Sequence, residues 1–140
     1  MDQSLKLLEE LFQLEEKDAG QYSPLTLAYI GDAIYDLVIR TVVVRQGNTQ
    51  VNKLHRRTSS LVKAEKQSAM VEVLQSHFTE KEQQIYKRGR NAKSFTSAKN
   101  ASITDYRRAT GFEAVMGYLY LTGSYERLIQ LVHTGLDGAL

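Results

Sequence analysis

The chain has 140 residues, with 18 Lys and Arg against 16 Asp and Glu, one Pro, and no Cys or Trp. This composition predicts a single domain over residues 1–140, and the lack of Cys excludes a disulfide framework and a thiolate metal site. Charge-free runs are too short to cross a bilayer, and the N-terminal segment is acidic where a signal peptide would be basic. We therefore expect a cytoplasmic protein with no membrane partner.

The net charge of +2 conceals a division along the chain. Residues 1–36 carry two bases and eight acids, a net charge of −6, whereas residues 37–140 carry sixteen bases and eight acids, a net charge of +8. Such asymmetry is typical of proteins that contact nucleic acid. An acidic helix folded onto a basic face explains it equally well at this stage.

Gly and Pro fall between apolar stretches of helical period, which predicts an all-α fold. An amphipathic stripe over residues 5–14 predicts a first helix that ends before Gly20. Ser23 and Pro24 form an N-cap and first-turn pair for a long apolar helix that continues to about Arg45. We expect this central helix to be buried.

The second half of the chain continues the helical pattern. Residues 48–74 predict a third helical region with a break near 58–60, and Thr79 with Glu82 predicts a capping box for the next helix. Residues 89–103 have no helical apolar period, which predicts a loop or a short helix with a flexible tip. Two more helices follow, an apolar one over 104–123 and an amphipathic one after Ser124.

Two helices that are almost free of charge retain isolated carboxylates. Over residues 19–39 the only charged side chains are Asp32 and Asp36, and over residues 109–125 the only one is Glu113. Burying an ionised carboxylate without a partner costs on the order of several kcal/mol. Each acid therefore needs a cation, a hydrogen-bond network or access to water.

The sequence leaves two explanations of these acids open. They lie at the helix surface or pair with arginines such as Arg40 and Arg107, or they converge on a ligand. The glycines that precede them, Gly31 and Gly111, remove bulk and let another helix or a ligand approach closely. Two converging carboxylates suit a hard, oxygen-seeking cation such as Mg²⁺.

A second feature is a basic stretch over residues 87–99 that contains five bases and no acid. Such side chains, with Asn, Ser and Thr nearby, supply phosphate contacts that fix position without reading sequence. A solvated loop that happens to be basic is the alternative. A smaller basic cluster over residues 53–66 cannot be placed relative to this stretch from sequence.

The two acid-bearing segments resemble the catalytic domain of the ribonuclease III superfamily. The stretch LAYIGDA at residues 27–33 resembles the signature helix of that family, and GFEA at residues 111–114 resembles its second acidic motif. The segments LAYIGDAIYD, KRGRNAKS and YRRATGFEAVMGYLYL extend the match over nearly the whole chain. Within the superfamily, the chain is similar to a short bacterial branch that lacks a double-stranded-RNA-binding domain.

The resemblance implies an all-helical, homodimeric endonuclease that cuts double-stranded RNA with Mg²⁺, or with Mn²⁺ as a substitute. It further implies maturation of the large-subunit (23S) ribosomal RNA precursor, with a ribosomal protein as a partner that presents the substrate. Asp32 and Glu113 take the places of catalytic, metal-binding acids. The residues assigned to RNA contact are Arg88, Arg90, Asn91, Lys93 and Lys99.

Two positions depart from the pattern of full-length relatives. Ala28 stands where they have Glu, and Thr110 stands where they have Asp, so the number of metal ions is left open. Thr110 through its hydroxyl, and Asp36 or Asp105 from one turn further away, are candidates for a supporting role. The alternative function is a non-catalytic RNA-binding or ribosome-associated protein on the same scaffold; a small helical DNA-binding regulator fits the long helices poorly.

Overall fold

The computed structural model describes residues 2–93 and 102–137. These residues form helices and no strand, which confirms the all-α prediction, and none of their helices is both long and apolar enough to span a membrane. A short 3-10 turn lies at Ala19–Gln21. The α-helices are α1 (Asp2–Leu11), α2 (Pro24–Arg45), α3 (Val51–Val62), α4 (Ala64–Leu74), α5 (Glu80–Asn91), α6 (Ile103–Leu121) and α7 (Tyr125–Gly135).

The core is built around α2 and α6, which cross each other and pack along much of their length. Tyr35 and Ile39 of α2 and Phe112 and Met116 of α6 are all fully buried. The rings of Tyr35 and Phe112 meet edge to face, with centroids 5.1 Å apart. The helices α4, α5 and α7 pack around this pair, so that α2 and α6 carry both the core and the acids singled out in the sequence.

Two of the predicted helix starts are confirmed by their capping bonds, whereas Ser124 makes no side-chain capping bond at the start of α7. The Ser23 hydroxyl accepts a hydrogen bond from the backbone N–H of Thr26 at 3.2 Å, which satisfies an N–H at the start of α2. At α5, the Thr79 hydroxyl accepts from the backbone of Glu82 at 3.1 Å, and the Glu82 carboxylate accepts from the backbone of Thr79 at 2.9 Å. This is the capping box that the sequence predicted.

The third helical region is broken, as predicted, but the break lies beyond residues 58–60. The chain remains helical through Val62 and breaks at Lys63, whose backbone is extended. Ser60 fits inside α3 because its hydroxyl donates to the backbone carbonyl of Arg57 at 2.8 Å. The carbonyls at the end of α3 are instead satisfied by side chains from other helices, a signal that local sequence does not contain.

Two helix ends and the exposure of the central helix also differ from the sequence-based expectation. The first helix ends at Leu11, so the apolar stripe extends past it. Helix α5 continues through Asn91, so the basic stretch begins on a helix rather than in a loop. The central helix α2 is buried on one side only, because Tyr29 is 81% exposed and Leu37 is 54% exposed.

Candidate active site

Helices α2 and α6 touch backbone to backbone at two glycines. A Cβ atom built on Gly31 would overlap the backbone carbonyl of Glu113 and lie 2.7 Å from the backbone nitrogen of Gly117. A Cβ on Gly117 would overlap the backbone carbonyl of Leu27. Only glycine permits this approach. Because Asp32 follows Gly31 directly, the crossing brings its carboxylate to Glu113.

The carboxyl groups of Asp32 and Glu113 are in hydrogen-bonding contact. Asp32 is exposed, whereas Glu113 is largely covered. Burial, and then the charge and hydrogen bond of Asp32, raise the pKa of Glu113 from 4.5 to about 8. Without a cation, this pair therefore keeps one proton at neutral pH.

Gln67 of α4 lies beneath Glu113. Its Nε2 donates to the backbone carbonyl of Val62 at 2.8 Å and to Oε2 of Glu113 at 3.4 Å. The bond to Glu113 lowers the pKa of that carboxyl, an effect smaller than that of burial. Gln67 is 1% exposed, and its Oε1 has no hydrogen-bond partner among the described residues.

Tyr35 of α2 supports the same region from the core. Its hydroxyl donates to the backbone carbonyl of Leu61 at 2.7 Å and lies 3.2 Å from Sδ of Met70. Burial, and then the charge of Glu113, raise the pKa of Tyr35, so the phenol stays neutral. Tyr35 and Gln67 thus donate hydrogen bonds to the last two carbonyls of α3. Gln67 also donates to the Glu113 carboxyl, and the charge of Glu113 raises the pKa of Tyr35.

Sequence reasoning missed Gln67 and Tyr35. Each acts on a partner far along the chain, since Gln67 and Glu113 are 46 positions apart and Tyr35 and Leu61 are 26 positions apart. The available signal was that Gln67 is an uncharged polar residue among the buried positions of α4, and this does not identify the group to which it donates.

The donor set fits a hard divalent cation with few protein ligands. Two carboxylates converge, and across residues 2–93 and 102–137 no group of three or more His, Cys, Asp or Glu side chains gathers in a metal-binding arrangement. Mg²⁺ is usually held by one or two carboxylates and keeps several waters, with substrate phosphates as further ligands. A cation here would take the place of the proton that the acid pair keeps.

The explanation that these acids pair with arginines is confirmed for one of the three. Asp36 Oδ2 pairs with Nε of Arg40 at 2.8 Å, one turn further along α2. Within the described part of the chain, no ion pair involves Asp32 or Glu113. The structure therefore separates Asp36, which has a cationic partner, from the two acids that face each other.

The other candidates for a supporting role lie on α6 and α2. Asp105 is in the first turn of α6, eight residues from Glu113, which corresponds to about 12 Å along the helix. The Thr110 hydroxyl donates to the backbone carbonyl of Tyr106 at 3.0 Å. Ala28 is buried and offers no ligand atom.

The basic end of α5 packs against α6, the helix that carries Glu113. Gly89 packs directly on Gly111, because a Cβ on Gly89 would lie 2.8 Å from the Gly111 Cα, and Gly111 is two residues before Glu113. Arg88 and Arg90 flank this contact in the sequence. The contact places the start of the predicted RNA-binding stretch against α6, on a different face from Glu113, because residues two apart point to opposite sides of a helix.

The individual basic residues differ in their surroundings. Arg88 donates to the backbone carbonyls of Gly20 at 3.1 Å and Tyr22 at 3.3 Å. Arg90 lies over the ring of Tyr86, 5.7 Å from its centroid, and donates to Asn91 at 3.3 Å. Asn91 and Lys93 are exposed, and Lys99 lies outside the described residues.

The smaller basic cluster is carried by α3. Lys53, Arg56 and Arg57 are all exposed, and α3 contains no acid. The C-terminal end of α3 contacts Gln67, which in turn contacts Glu113. Both basic segments therefore border the elements that form the acid pair.

Comparisons with known proteins agree on one family. The family model described as "Ribonuclease III domain" matches residues 25–124. The chain is 51% identical over 121 residues to a Mini-ribonuclease 3 of Clostridium tetani, covering 86% of this chain and 80% of that protein. It is 49% identical over 119 residues to a Mini-ribonuclease 3 of Enterococcus faecalis, covering 84% of this chain and 90% of that protein.

A solved structure is also similar to this chain. The crystal structure of a protein from Fusobacterium nucleatum superposes with a TM-score of 0.78 at 30% sequence identity, and the match covers 89% of this chain and 100% of that one. The matched family region contains both acid-bearing segments and the basic end of α5.

Proposed function

Because the chain belongs to the ribonuclease III family and is an endoribonuclease, we propose that it cleaves double-stranded RNA with Mg²⁺ held by Asp32 and Glu113. One observation carries the proposal. Two carboxyl groups without arginine partners in the described residues meet where α2 and α6 touch backbone to backbone. Two such groups close together hold a proton or a cation, because both cannot stay charged alone.

The roles of Asp32 and Glu113 in phosphodiester cleavage follow from their positions. Mg²⁺ bound at this pair would activate a water and neutralise the negative charge that develops on the phosphodiester. Asp32 offers its oxygens from the solvent side, and Glu113 offers its oxygens from the covered side. Glu113 must lose its proton for both groups to act as anionic ligands. With two protein ligands, most coordination positions are left for water and phosphate oxygens.

We assign RNA binding to the basic end of α5. Arg90 and Lys93, with Arg88, Asn91 and Lys99, would contact phosphates and 2′-hydroxyls, which are the groups that A-form RNA presents. The observation that supports this assignment is that α5 packs on α6, the helix that carries Glu113, through the contact between Gly89 and Gly111.

We also propose a homodimer in which α2 faces its counterpart. Tyr29 is 81% exposed, Leu37 is 54% exposed, and Ala33 between them is also exposed. A two-fold axis at this face would provide one site for each RNA strand. Processing of the 23S ribosomal RNA precursor in the cytoplasm, with a ribosomal protein presenting it, stays a prediction from family resemblance.

The test is a panel of nucleic acids. The protein is incubated with duplex RNA, single-stranded RNA and duplex DNA, each with Mg²⁺ or with EDTA, and the products are resolved on denaturing gels. We expect cleavage of duplex RNA with Mg²⁺ and intact nucleic acid in every other reaction. Binding of duplex RNA without cleavage would favour the non-catalytic alternative, and cleavage in EDTA would contradict the metal assignment.

A further inference from the structure

A neutral amide is buried directly beneath the acid pair. The side chain of Gln67 is 1% exposed and connects the end of α3 to Glu113 on α6 through a single nitrogen. The same amide leaves its Oε1 without a hydrogen-bond partner among the described residues. An unpaired buried oxygen destabilises a fold, and an apolar side chain of similar size would avoid that loss. The amide therefore needs an explanation beyond packing.

The orientation of this amide is determined by its neighbours. The backbone carbonyl of Val62 and the carboxylate of Glu113 are both acceptors, so only the nitrogen of Gln67 can face them. Turning the amide over would set its oxygen against both. The bond to Val62, at 2.8 Å, fixes the nitrogen at the end of α3 and directs its second hydrogen to Glu113. The unpaired oxygen is thus the consequence of supplying a donor to Glu113.

The distance to Glu113 leaves this bond room to strengthen. At 3.4 Å it is long for a hydrogen bond to oxygen, whereas bonds to a fully charged carboxylate are shorter. A donor fixed on one side of Glu113 holds one carboxylate oxygen at Gln67 and leaves the other free to face Asp32. Partners of this kind orient the ligands of metal ions in other proteins.

We propose that Gln67 is a positioning residue, which orients the carboxylate of Glu113 toward Asp32 and thereby sets the cation affinity of the pair. The inference rests on the proposed function, since it requires that Asp32 and Glu113 hold a cation.

The test replaces the donor while preserving the volume. Gln67→Met keeps an unbranched side chain of similar length but removes the N–H groups, and it also removes the unpaired oxygen. Gln83→Met is the matched control, because Gln83 also has a buried Oε1 with no partner in the described part of the chain but donates to Gln75 instead of an acid. Mn²⁺ binding without RNA is measured by electron paramagnetic resonance for both variants and the unmodified protein, and melting temperatures establish folding.

We expect the Kd for Mn²⁺ to rise about tenfold in Gln67→Met and to stay within about twofold in Gln83→Met, with both variants folded. With Mg²⁺ and duplex RNA, Gln67→Met should need more metal for half-maximal cleavage, with the RNA KM unchanged. Gln67→Asn should recover part of the affinity because it retains the donor. A variant that does not fold would show that the role is structural and overturn the proposal.

The inference and the proposed function fail in different ways. If the unmodified protein binds Mn²⁺ and cleaves duplex RNA, and Gln67→Met matches it in both, only the role of Gln67 is overturned. An equal loss of affinity in Gln83→Met also overturns it, because the effect would then belong to core packing. If the unmodified protein neither binds Mn²⁺ nor cleaves RNA, the proposed function fails and the role of Gln67 fails with it.

Discussion

Glu113 is the residue whose chemistry depends most on the fold. The sequence singled it out because it is the one charged residue in an apolar stretch, and the same reasoning singled out Asp32. The structure brings these two acids together, but their role as catalytic ligands stays a prediction. Gln67 was beyond the reach of sequence reasoning, because its contact with Glu113 depends on how α4 packs against α6. A charged residue in an apolar helix can be recognised from the local sequence, whereas a neutral hydrogen-bond partner cannot.

The raised pKa of Glu113 predicts a pH dependence of stability. Between the ordinary value of 4.5 and about 8, the folded protein binds a proton at Glu113 that the unfolded chain releases. The contribution of this group to the free energy of unfolding is therefore full below that window and is lost as pH rises through it. In EDTA, we expect the unmodified protein to lose stability relative to Glu113→Gln as pH rises from about 5 to about 8.5.

Urea unfolding at several pH values measures this difference, and addition of Mg²⁺ at the upper pH should restore stability to the unmodified protein only. Parallel pH profiles for the two proteins would show that Glu113 has an ordinary pKa and is not coupled to Asp32.

At the scale of the elements, sequence predicted helix starts better than helix packing. Ser23 and Thr79 act on backbone groups within three residues, so local sequence contains the whole signal. The break was predicted near residues 58–60 and lies at Lys63, because Tyr35 and Gln67, from α2 and α4, bind the carbonyls at the end of α3. The glycine before Asp32 did indicate a close approach, but the second glycine of the crossing, Gly117, was not recognised.

The α2 and α6 crossing should tolerate no side chain at Gly31. In Gly31→Ala the added Cβ would overlap the backbone of Glu113, which cannot move without shifting α6. We expect a loss of at least about 3 kcal/mol in the free energy of unfolding, at the upper end for overpacking. Gly20→Ala is the control, because its Cβ would meet the end of the Lys81 side chain at 3.3 Å and Oδ1 of Asp18 at 3.5 Å and no backbone atom, and it should change stability by less than about 0.5 kcal/mol. Equal effects in chemical denaturation would contradict the account of the crossing.

At the scale of the whole molecule, the uneven charge along the sequence has a spatial meaning. The acidic first 36 residues include Asp32, and the basic remainder includes the exposed bases of α3 and the end of α5. The sequence predicted this division but not its arrangement, because the contact between Gly89 and Gly111, which packs the basic end of α5 against α6, joins residues far apart in the chain.

Phosphate contacts at this end of α5 predict a defined salt dependence. Replacing Arg90 and Lys93 with Ala should weaken duplex RNA binding and reduce the slope of log K against log salt by about 2, or about 1 for each contact. The control pair, Lys6→Ala with Lys17→Ala, lies in the acidic segment and should leave the slope unchanged. Fluorescence anisotropy across a salt series in EDTA measures binding alone. A slope equal to that of the unmodified protein would remove these residues from the RNA surface.

The proposed homodimer predicts a response at the exposed face of α2. Leu37→Glu should convert a dimer to a monomer, because a charge would be buried in the interface while the monomer keeps this side chain half exposed. Val51→Glu, at a position 62% exposed on α3, should leave the dimer intact. Sedimentation velocity distinguishes the two species. A monomeric unmodified protein, or a dimeric Leu37→Glu variant, would contradict the proposed interface.

The most direct measurement of the central claim is the Mg²⁺-dependent cleavage rate of Asp32→Asn on duplex RNA. Removing one anionic ligand should lower the rate at least about a thousandfold, because the bound cation supplies several kcal/mol of charge stabilisation. Melting should stay unchanged, since Asp32 is exposed, and Asp137→Asn should keep full activity as the matched control. An Asp32→Asn protein that cleaves duplex RNA at the unmodified rate would contradict the assignment of the acid pair as the catalytic metal site.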